Sequence, residues 1–378
     1  MEKLNIKIDK NSQYFNKKSD YFFKIKNTKV FFWGKLYGLY ENNKYINNKY
    51  SNFLSKIKFK KKNFNQKTIR NIRNILEGYY ICLVVSGKNI FIFGDKFNKK
   101  ELFYYKNKNQ LFCSTRLDFI IENLKEIKFN QEALVSMFSV YGNYAPKKDT
   151  IYKNVNKLGV DEIIIRKGDN FIISKLKYLP LKINLSQKTD DYKKYLENSI
   201  KIRSSNEMNW VLLSSGWDSS AILSILVKLR GSNRVRALIA KFKYSNKSGV
   251  NNNFEVERAV KIAQHFKVKI DIINIDYSSK EYVRYWSKIK DNLKCNHLYN
   301  MNNYNFMKTA EFIKQKSKNK SYPVFNGEIS DGAHNLGFSQ FATILDHQDL
   351  NFREYSDKMM SYLFGPSFFK QILNKTYK

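Results

Sequence analysis

The chain has 378 residues, 43% of them hydrophobic and 16% aromatic, and a sequence this apolar can bury enough surface to fold, which excludes intrinsic disorder. Its 68 Lys and Arg against 33 Asp and Glu give a formal charge of +35, but the lysines are spread along the sequence, so charge alone does not assign a nucleic-acid partner and we expect none. Three cysteines without a C-x-x-C pair argue against disulfides and structural zinc, and no apolar run is long enough to span a bilayer, so we expect a cytoplasmic protein with no membrane partner.

Residues 1–185 consist mostly of short strand patterns. Runs of Phe, Tyr, Ile and Val that are broken by Ser86-Gly87 and Gly94-Asp95 are typical of hairpins in an antiparallel sheet. Strands are predicted at 30–33, 35–40, 79–86, 89–93, 101–106 and 110–114, and helices at 65–76 and 131–141. We therefore expect an α+β first domain of antiparallel β-sheets with helices.

From residue 186 the pattern changes to alternating helices and strands. Helices are predicted at 192–202, 221–229, 255–266 and 280–290, and strands at 210–213, 235–242 and 269–275. Such alternation indicates parallel strands joined by crossover helices, so residues 186–378 are expected to form an α/β domain with an open parallel sheet. Ligands of such sheets bind beyond the carboxyl ends of the strands.

The stretch Val211–Ser220, V-L-L-S-S-G-W-D-S-S, places a turn of small residues between a strand and a helix. Backbone N–H groups and the positive end of a helix dipole then meet at one point, which suits a phosphate. Candidate phosphate ligands are Ser214, Ser215, Gly216, Ser219 and Ser220, and Asp218 is a candidate Mg²⁺ ligand. The alternative is an ordinary strand followed by a serine-capped helix.

A second informative stretch, Tyr322–Gly337, reads Y-P-V-F-N-G-E-I-S-D-G-A-H-N-L-G. A short strand at 323–325 is followed by Gly327, which allows the backbone to approach a ligand closely, and by two carboxylates, Glu328 and Asp331. The alternative interpretation is an ordinary loop and helix cap. A helix is also predicted at 354–364.

These two stretches resemble motifs of one enzyme family. S-S-G-W-D-S-S is similar to the S-G-G-x-D-S-S pyrophosphate loop of the ATP pyrophosphatase superfamily, which includes asparagine synthetase, and departs only at Ser215. N-G-E-I-S-D is similar to the G-E-G-A-D-E loop of asparagine synthetase. The resemblance implies ATP and Mg²⁺ as cofactors, with Asp218 and Asp331 as metal ligands and Glu328 near the reacting carboxylate. It also implies that the backbone of the second strand contacts adenine, which designates Ala237, Leu238 and Ile239.

The first half resembles the glutaminase (class II amidotransferase) domain of the same family. The similar segments are L-E-G-Y-Y-I-C-L-V-V, F-I-F-G-D-K-F-N-K-K-E-L-F-Y-Y and L-F-C-S-T-R-L-D-F-I-I. That family uses the thiol of an N-terminal cysteine, whereas position 2 here is Glu2, and the first cysteine, Cys82, lies within an apolar strand pattern. A buried cysteine is a poor nucleophile, so we predict that this domain does not hydrolyse glutamine.

Taken together, the resemblances imply an asparagine synthetase-like ligase that adenylates a substrate carboxylate and then forms an amide with ammonia or an amine. The amine would come from free ammonia, from the substrate itself or from a glutaminase partner, and a homodimer is compatible with this interpretation. Two alternatives stay open: an ATP pyrophosphatase enzyme that modifies a tRNA base, and a non-catalytic or partner-dependent remnant of the family.

Overall fold

The computed structural model describes the chain from Leu4 to Gly327 apart from several short stretches. The stretches that it does not describe are 1–3, 9–12, 17, 26, 42–43, 47–64, 108–109, 140–147, 161, 169, 177–188, 296–300 and 328–378. The described residues form two compact units, with residues up to 176 in the first and residues 189–294 and 301–327 in the second. The expected domain boundary between residues 185 and 186 lies in the undescribed stretch 177–188.

The first unit is built of antiparallel strands with three helices among its described residues. Its strands are β1 (Asn5–Ile8), β2 (Gln13–Phe15), β3 (Tyr21–Ile25), β4 (Thr28–Glu41), β5 (Lys44–Ile46), β6 (Leu76–Ser86), β7 (Asn89–Gly94), β8 (Phe103–Lys106), β9 (Leu111–Ser114), β10 (Val155–Lys157), β11 (Glu162–Lys167) and β12 (Asn170–Lys175). Its helices are α1 (Gln66–Ile75), α2 (Leu117–Glu122) and α3 (Gln131–Ser139).

Two antiparallel sheets pack face to face in this unit. One has the strand order β10-β8-β9-β1-β2, and the other has the order β12-β11-β7-β6-β4-β3 with β5 beside β4. Alternate residues of β4 pack in different hydrophobic cores. Phe31 and Trp33 pack between the two sheets, whereas Phe32 packs toward α1. The helix α2 covers the outer face of the other sheet through Leu117 and Ile120. The expected α+β arrangement of antiparallel sheets with helices is confirmed.

The strands predicted at 30–33 and 35–40 are one continuous strand, β4. Gly34 interrupts the apolar pattern in the sequence but not the strand, because it has a φ of +133° and a Cβ there would overlap the Tyr79 carbonyl oxygen of β6. The glycine therefore permits a close approach of two backbones rather than a turn. The hairpin of β11 and β12 was not predicted.

The second unit alternates helices and strands. Its elements are α4 (Thr189–Arg203), β13 (Asn209–Leu212), α5 (Trp217–Arg230), β14 (Val235–Ser245), β15 (Gly249–Val250), α6 (Asn253–His265), β16 (Lys269–Asp276), α7 (Lys280–Cys295), α8 (Met301–Lys316) and β17 (Val324–Asn326). The prediction missed α8. The helix predicted at 354–364 lies outside the described residues.

Four strands of this unit are parallel, in the order β16-β14-β13-β17. The short β15 pairs antiparallel with the far end of β14, so the expected parallel sheet is in fact mixed. Val211 of β13 packs in one core with residues of α4, α5 and α6, whereas its neighbour Trp210 packs on the other face near Ile313 of α8. Helices thus cover both faces of the sheet and leave the strand ends open. None of the helices that the structure describes is both long and apolar enough to cross a membrane.

Candidate functional site

The turn between β13 and α5 is the loop predicted to bind phosphate. The helix begins at Trp217, four residues earlier than predicted, and Gly216 precedes it without a side-chain cap. The first amide N–H groups of a helix have no partner within the helix, so this end can donate hydrogen bonds to an anion. Asp218 is exposed in the first turn, and no hydrogen bond or ion pair joins its carboxylate to another residue that the structure describes.

Hydrogen bonds between serines fix the shape of this loop. The Ser219 side chain is 3% exposed, and its Oγ lies 2.9 Å from Ser214 Oγ and accepts from the Ser214 amide at 3.1 Å. The Gly216 amide donates to Ser214 Oγ at 3.1 Å, and Ser220 Oγ donates to the Gly216 carbonyl at 2.8 Å. The loop is therefore held by its own side chains, and Ser219 is an internal tie rather than an exposed ligand.

The second sequence stretch meets the loop at Gly327, which follows β17. A Cβ on Gly327 would lie 2.8 Å from the Ser219 amide nitrogen and 3.1 Å from Asp218 Cβ. Real Cβ atoms are not found this close to a backbone nitrogen, so the approach requires glycine. The parallel pairing of β13 with β17 brings together two motifs that are more than a hundred residues apart in the sequence.

A cleft of about 420 Å³ opens at the carboxyl ends of β13, β14 and β17. The chain runs from β13 to β14 and β16 on one side and returns to β17 on the other, so strand order reverses beside β13. Ligands of open α/β sheets bind at such reversals. Of the residues predicted to form the site, those lining the cleft are Ser214, Gly216, Asp218, Ser219, Leu238, Ile239 and Gly327.

The other predicted site residues lie elsewhere. Ser215 and Ser220 line a neighbouring groove, which they share with Gly216. Ala237 is fully buried in the core beneath the cleft. Glu328 and Asp331 lie outside the described residues.

Several residues lining the cleft were missed from the sequence. Asn252 and Glu255 come from the start of α6, and Asn305 and Phe306 come from α8. The run of asparagines before α6 is a helix-start signal that could have indicated Asn252. Nothing in the sequence indicated the α8 residues, because the helix itself was not predicted.

Asn252 secures the end of β14 at the cleft. Its side chain accepts a hydrogen bond from the Phe242 amide and donates one to the Ala240 carbonyl, each at 2.8 Å. Although it stands in the capping position of α6, it makes no side-chain cap to that helix. Where β14 extends beyond β13, the side-chain amide of Asn252 therefore makes the hydrogen bonds that the backbone of a neighbouring strand would otherwise make.

The side-chain atoms at the cleft that could bind a metal ion are mainly oxygens. Among the described residues, no cluster of three or more His, Cys, Asp or Glu side chains could hold a metal ion by itself. Asp218 is one carboxylate beside serine hydroxyls and free helix amides. This donor set suits a Mg²⁺ ion that is bound largely through phosphates and water, as protein-bound Mg²⁺ commonly is.

The thiols of the first unit are enclosed. Cys82 on β6 is 1% exposed and Cys113 on β9 is 0% exposed, and neither forms a disulfide. Burial raises the pKa of both thiols well above the usual range. A thiol that is sealed from solvent and kept protonated is not available as a nucleophile.

No protein-family model matches the sequence, and no curated protein sequence matches it. Among solved structures, the chain is similar to the glutamine phosphoribosylpyrophosphate amidotransferase from B. subtilis complexed with ADP and GMP, at 12% identity and a TM-score of 0.26, over 67% of this chain and 47% of that one. It is also similar to a structure described as the allosteric regulatory enzyme of purine biosynthesis, at 11% identity and a TM-score of 0.27, over 68% of this chain and 62% of that one.

A third similar structure is the glutamine-dependent NAD⁺ synthetase from Acinetobacter baumannii in complex with ADP, at 16% identity and a TM-score of 0.22, over 39% of this chain and 29% of that one. The chain therefore spans less than two thirds of each of these structures. TM-scores below 0.5 do not establish a shared fold, so these similarities do not assign the chain to a family.

Proposed function

We propose that the chain is an ATP- and Mg²⁺-dependent ligase, similar to asparagine synthetase, that activates a carboxylate and forms an amide. In the first step a carboxylate oxygen attacks the α-phosphorus of ATP, and pyrophosphate leaves. In the second step ammonia or an amine attacks the acyl carbon, and AMP leaves. The observation that carries the proposal is the contact of Gly327 with Asp218 and Ser219, because it joins the two motifs at the strand ends.

The loop supplies hydrogen-bond donors for the leaving pyrophosphate. The free amides at the start of α5 and the hydroxyls of Ser214 and Ser215 would bind phosphate oxygens, and Ser219 would keep the loop in shape. The Ser220 hydroxyl would join them by turning from the Gly216 carbonyl, to which it donates in this structure. Donors that are already in place stabilise developing negative charge without reorganising. The bonds among Ser214, Gly216 and Ser219 support this role, since they hold the loop in one shape through its own side chains.

Asp218 would hold Mg²⁺ at the cleft, together with Asp331 from the part of the chain that is not described. When bound, the ion neutralises charge on the phosphates. The exposed position of Asp218 and its lack of a partner among the described residues support this assignment.

The adenine would lie against the end of β14. Leu238 and Ile239 line the cleft there, and the rings of Phe242 and Phe306 supply aromatic surface. Asn252 supports this subsite because it holds the β14 backbone at Ala240 and Phe242. The buried thiols support a separate source for the amine: free ammonia, the substrate or another subunit.

The test of this proposal is the binding of ATP to the full-length protein in the presence and absence of Mg²⁺, measured by titration calorimetry. We expect Mg²⁺ to tighten ATP binding and Asp218→Asn to remove most of this gain, by about tenfold or more. Asp191→Asn is the matched control, because Asp191 is an exposed aspartate in the first turn of α4, outside the cleft. The control should bind ATP like the unmodified protein.

The reaction itself is tested by pyrophosphate release from ATP across a panel of carboxylates, with hydroxylamine as the amine. Release that requires Asp218 would support the ligase. Failure to bind ATP, or ATP binding that is indifferent to Asp218→Asn, would contradict it and favour a non-catalytic remnant of the family. Release that depends on tRNA and on no small carboxylate would favour the tRNA-modifying alternative.

A further inference from the structure

Two charged side chains line the cleft among the residues that the structure describes, Asp218 and Glu255. Asp218 belongs to the phosphate loop, whereas Glu255 lies in the first turn of α6. Glu255 is exposed, and no ion pair or hydrogen bond joins its carboxylate to another residue in the described part of the chain. A carboxylate in this state can accept hydrogen bonds from the hydroxyl or ammonium groups of a ligand.

The start of α6 is fastened to the end of β14. The Asn252 side chain accepts a hydrogen bond from the Phe242 amide and donates one to the Ala240 carbonyl, each at 2.8 Å. The first turn of the helix closes on the same residue, since the Val256 amide donates to the Asn252 carbonyl at 3.1 Å. Glu255 lies within this turn, so its backbone is held in a fixed position relative to β14.

Packing on the inner side of α6 fixes the helix further. Val256 and Ala259 are buried in one core with Leu223 and Leu226 of α5. The helix is therefore held both to the strand that ends at the cleft and to the helix that begins at the phosphate loop. A side chain carried by such a rigid element meets its ligand with little reorganisation.

The proposed nucleotide spans the cleft from β14 to α5. Its adenine would lie against Leu238 and Ile239, and its pyrophosphate would lie at the start of α5. The ribose joins these two groups, so it would lie over the ends of β13 and β14, which are paired strands about 4.8 Å apart. The start of α6 borders this space, and Glu255 is the charged side chain that α6 contributes to the cleft.

We propose that Glu255 binds the 2′- and 3′-hydroxyls of the ATP ribose and so selects ribonucleotides over deoxyribonucleotides. This inference rests on the proposed function, because it requires ATP in the cleft. The two adjacent hydroxyls of a ribose are donors, and an ionised carboxylate has two oxygens that can accept from them. The triphosphate repels a carboxylate, so the ribose hydroxyls are the donors of ATP that give this glutamate a favourable contact.

An ammonium group of the second substrate is the other ligand that a carboxylate would attract. Position favours the ribose. Glu255 is less than one helical turn from Asn252, which is bonded to β14, whereas the acyl carbon reacts beside the α-phosphate at the start of α5. An acidic side chain at the ribose is also a known arrangement at the strand ends of open α/β sheets.

The test compares the dissociation constants of ATP, 2′-deoxyATP and 3′-deoxyATP for the full-length protein at saturating Mg²⁺, measured by titration calorimetry. We expect each deoxynucleotide to bind about tenfold more weakly than ATP, because each lacks one hydrogen bond to a charged acceptor. In Glu255→Ala this preference should fall to roughly onefold. Removal of a negative charge near the triphosphate strengthens the binding of all three nucleotides, so the ratio of affinities is the readout.

The matched control is Glu257→Ala, which removes the same charge from an exposed glutamate of α6 that does not line the cleft. Alanine favours the helix in both variants, and circular dichroism should confirm that each is folded. The control should keep the tenfold preference for ATP. An equal loss of preference in the two variants would show that charge alone is responsible, and this would overturn the inference.

The remaining outcomes separate this inference from the proposed function. ATP binding without a preference for the ribonucleotide, or a preference that survives Glu255→Ala, would overturn the role of Glu255 and leave the ATP site in place. Failure of all three nucleotides to bind would contradict the proposed function and this inference together. A variant Glu255→Ala that kept the preference and lost only its response to the amine would assign the carboxylate to the ammonium group instead.

Discussion

The two compact units differ in where they keep their reactive side chains. In the first unit Cys82 and Cys113 lie in the middle of strands whose two faces are covered by a sheet or a helix. In the second unit Ser214 and Asp218 follow the end of a strand, where no layer of described residues covers the sheet. A group in mid-strand of a layered unit is sealed by packing, whereas a group at a strand end meets solvent. The difference teaches that position along the strand decides which groups are available for chemistry.

The sharpest way to break this comparison is to alkylate the thiols of the native protein. We expect Cys82 and Cys113 to react with iodoacetamide on the order of a thousandfold more slowly than in concentrated guanidinium chloride, because access requires the unit to open. Peptide mapping by mass spectrometry measures each cysteine separately. Equal rates in the native and denatured protein would show that the thiols are accessible and would remove the main argument against a glutaminase.

The next largest effect concerns the pH dependence of stability. Burial raises the pKa of each thiol in the folded protein above the unfolded value of about 8.5. Its contribution to the free energy of unfolding is therefore complete below that pH and is lost as the pH rises. Lys100 opposes this trend, because burial lowers its pKa and its deprotonation favours the folded state. We expect the first unit to lose roughly 2–3 kcal/mol between pH 8 and 10, at no more than about 1.4 kcal/mol per group and pH unit.

Pulse proteolysis in urea with peptide mapping would follow each unit separately. The second unit serves as the internal control between pH 8 and 10. Tyr304, one of its groups with a shifted pKa, titrates only from pH 10 upward, because burial raises its pKa to about 12. Above pH 10 the first unit should weaken further as Tyr104 titrates, since its pKa is also raised to about 12. A parallel decline of both units between pH 8 and 10 would contradict the burial of the thiols.

A smaller effect is expected from Gly327→Ala, which sharpens the comparison at the open end of the sheet. The added Cβ would push β17 away from the start of α5 and cost about 1–3 kcal/mol, as overpacking usually does. ATP binding should fall with it. The control is Gly249→Ala in the same unit, where a Cβ has no neighbour within 4 Å and only the φ of +64° is unfavourable. If both variants bound ATP normally, the contact at Gly327 would have no role in the site.

The smallest effect is expected from Ser219→Ala. Loss of the buried hydroxyl would remove the acceptor of the Ser214 amide and one of the two partners of Ser214 Oγ, at a cost of about 1 kcal/mol, and the loop would bind phosphate less tightly. Ser224→Ala, which removes an exposed hydroxyl that donates only to the Ala221 carbonyl, is the control. Urea denaturation and ATP titration of the two variants would show whether the serine tie matters for the loop.

The sequence predicted the parts of the molecule that depend on local pattern. The strand before Ser214, the turn and the following helix were all visible in small and apolar residues, although the helix begins at Trp217 rather than at Ala221. The role of Ser219 was not predictable, because a hydroxyl that binds phosphate and one that ties a loop have the same sequence signal. The close approach of Gly327 to the Ser219 amide was not predictable either, because it is a tertiary contact.

The first unit shows the same limit. The strand β7 was predicted to within one residue, and β6 was predicted from residue 79 although it begins at Leu76. Both were visible as continuous apolar runs, because their alternate residues pack in two separate cores. The break predicted at Gly34 was wrong because a glycine in a strand can mark either a turn or a close approach of two backbones, and only the neighbouring β6 decides between them. Likewise, Asn305 and Phe306 reach the cleft through the packing of α8, which local pattern does not report.

The edges of the mixed sheet carry a consequence for self-association. β17 has only three residues, and β16, which pairs with β14, alternates isoleucines with Lys269, Asp271, Asn274 and Asp276. A very short edge strand and an edge strand with several charged residues both disfavour pairing with a strand of another molecule. Among the described residues, these two strands are accordingly poor candidates for a dimer interface. A continuous sheet running through two copies is disfavoured, as is the edge-to-edge stacking that leads to aggregation.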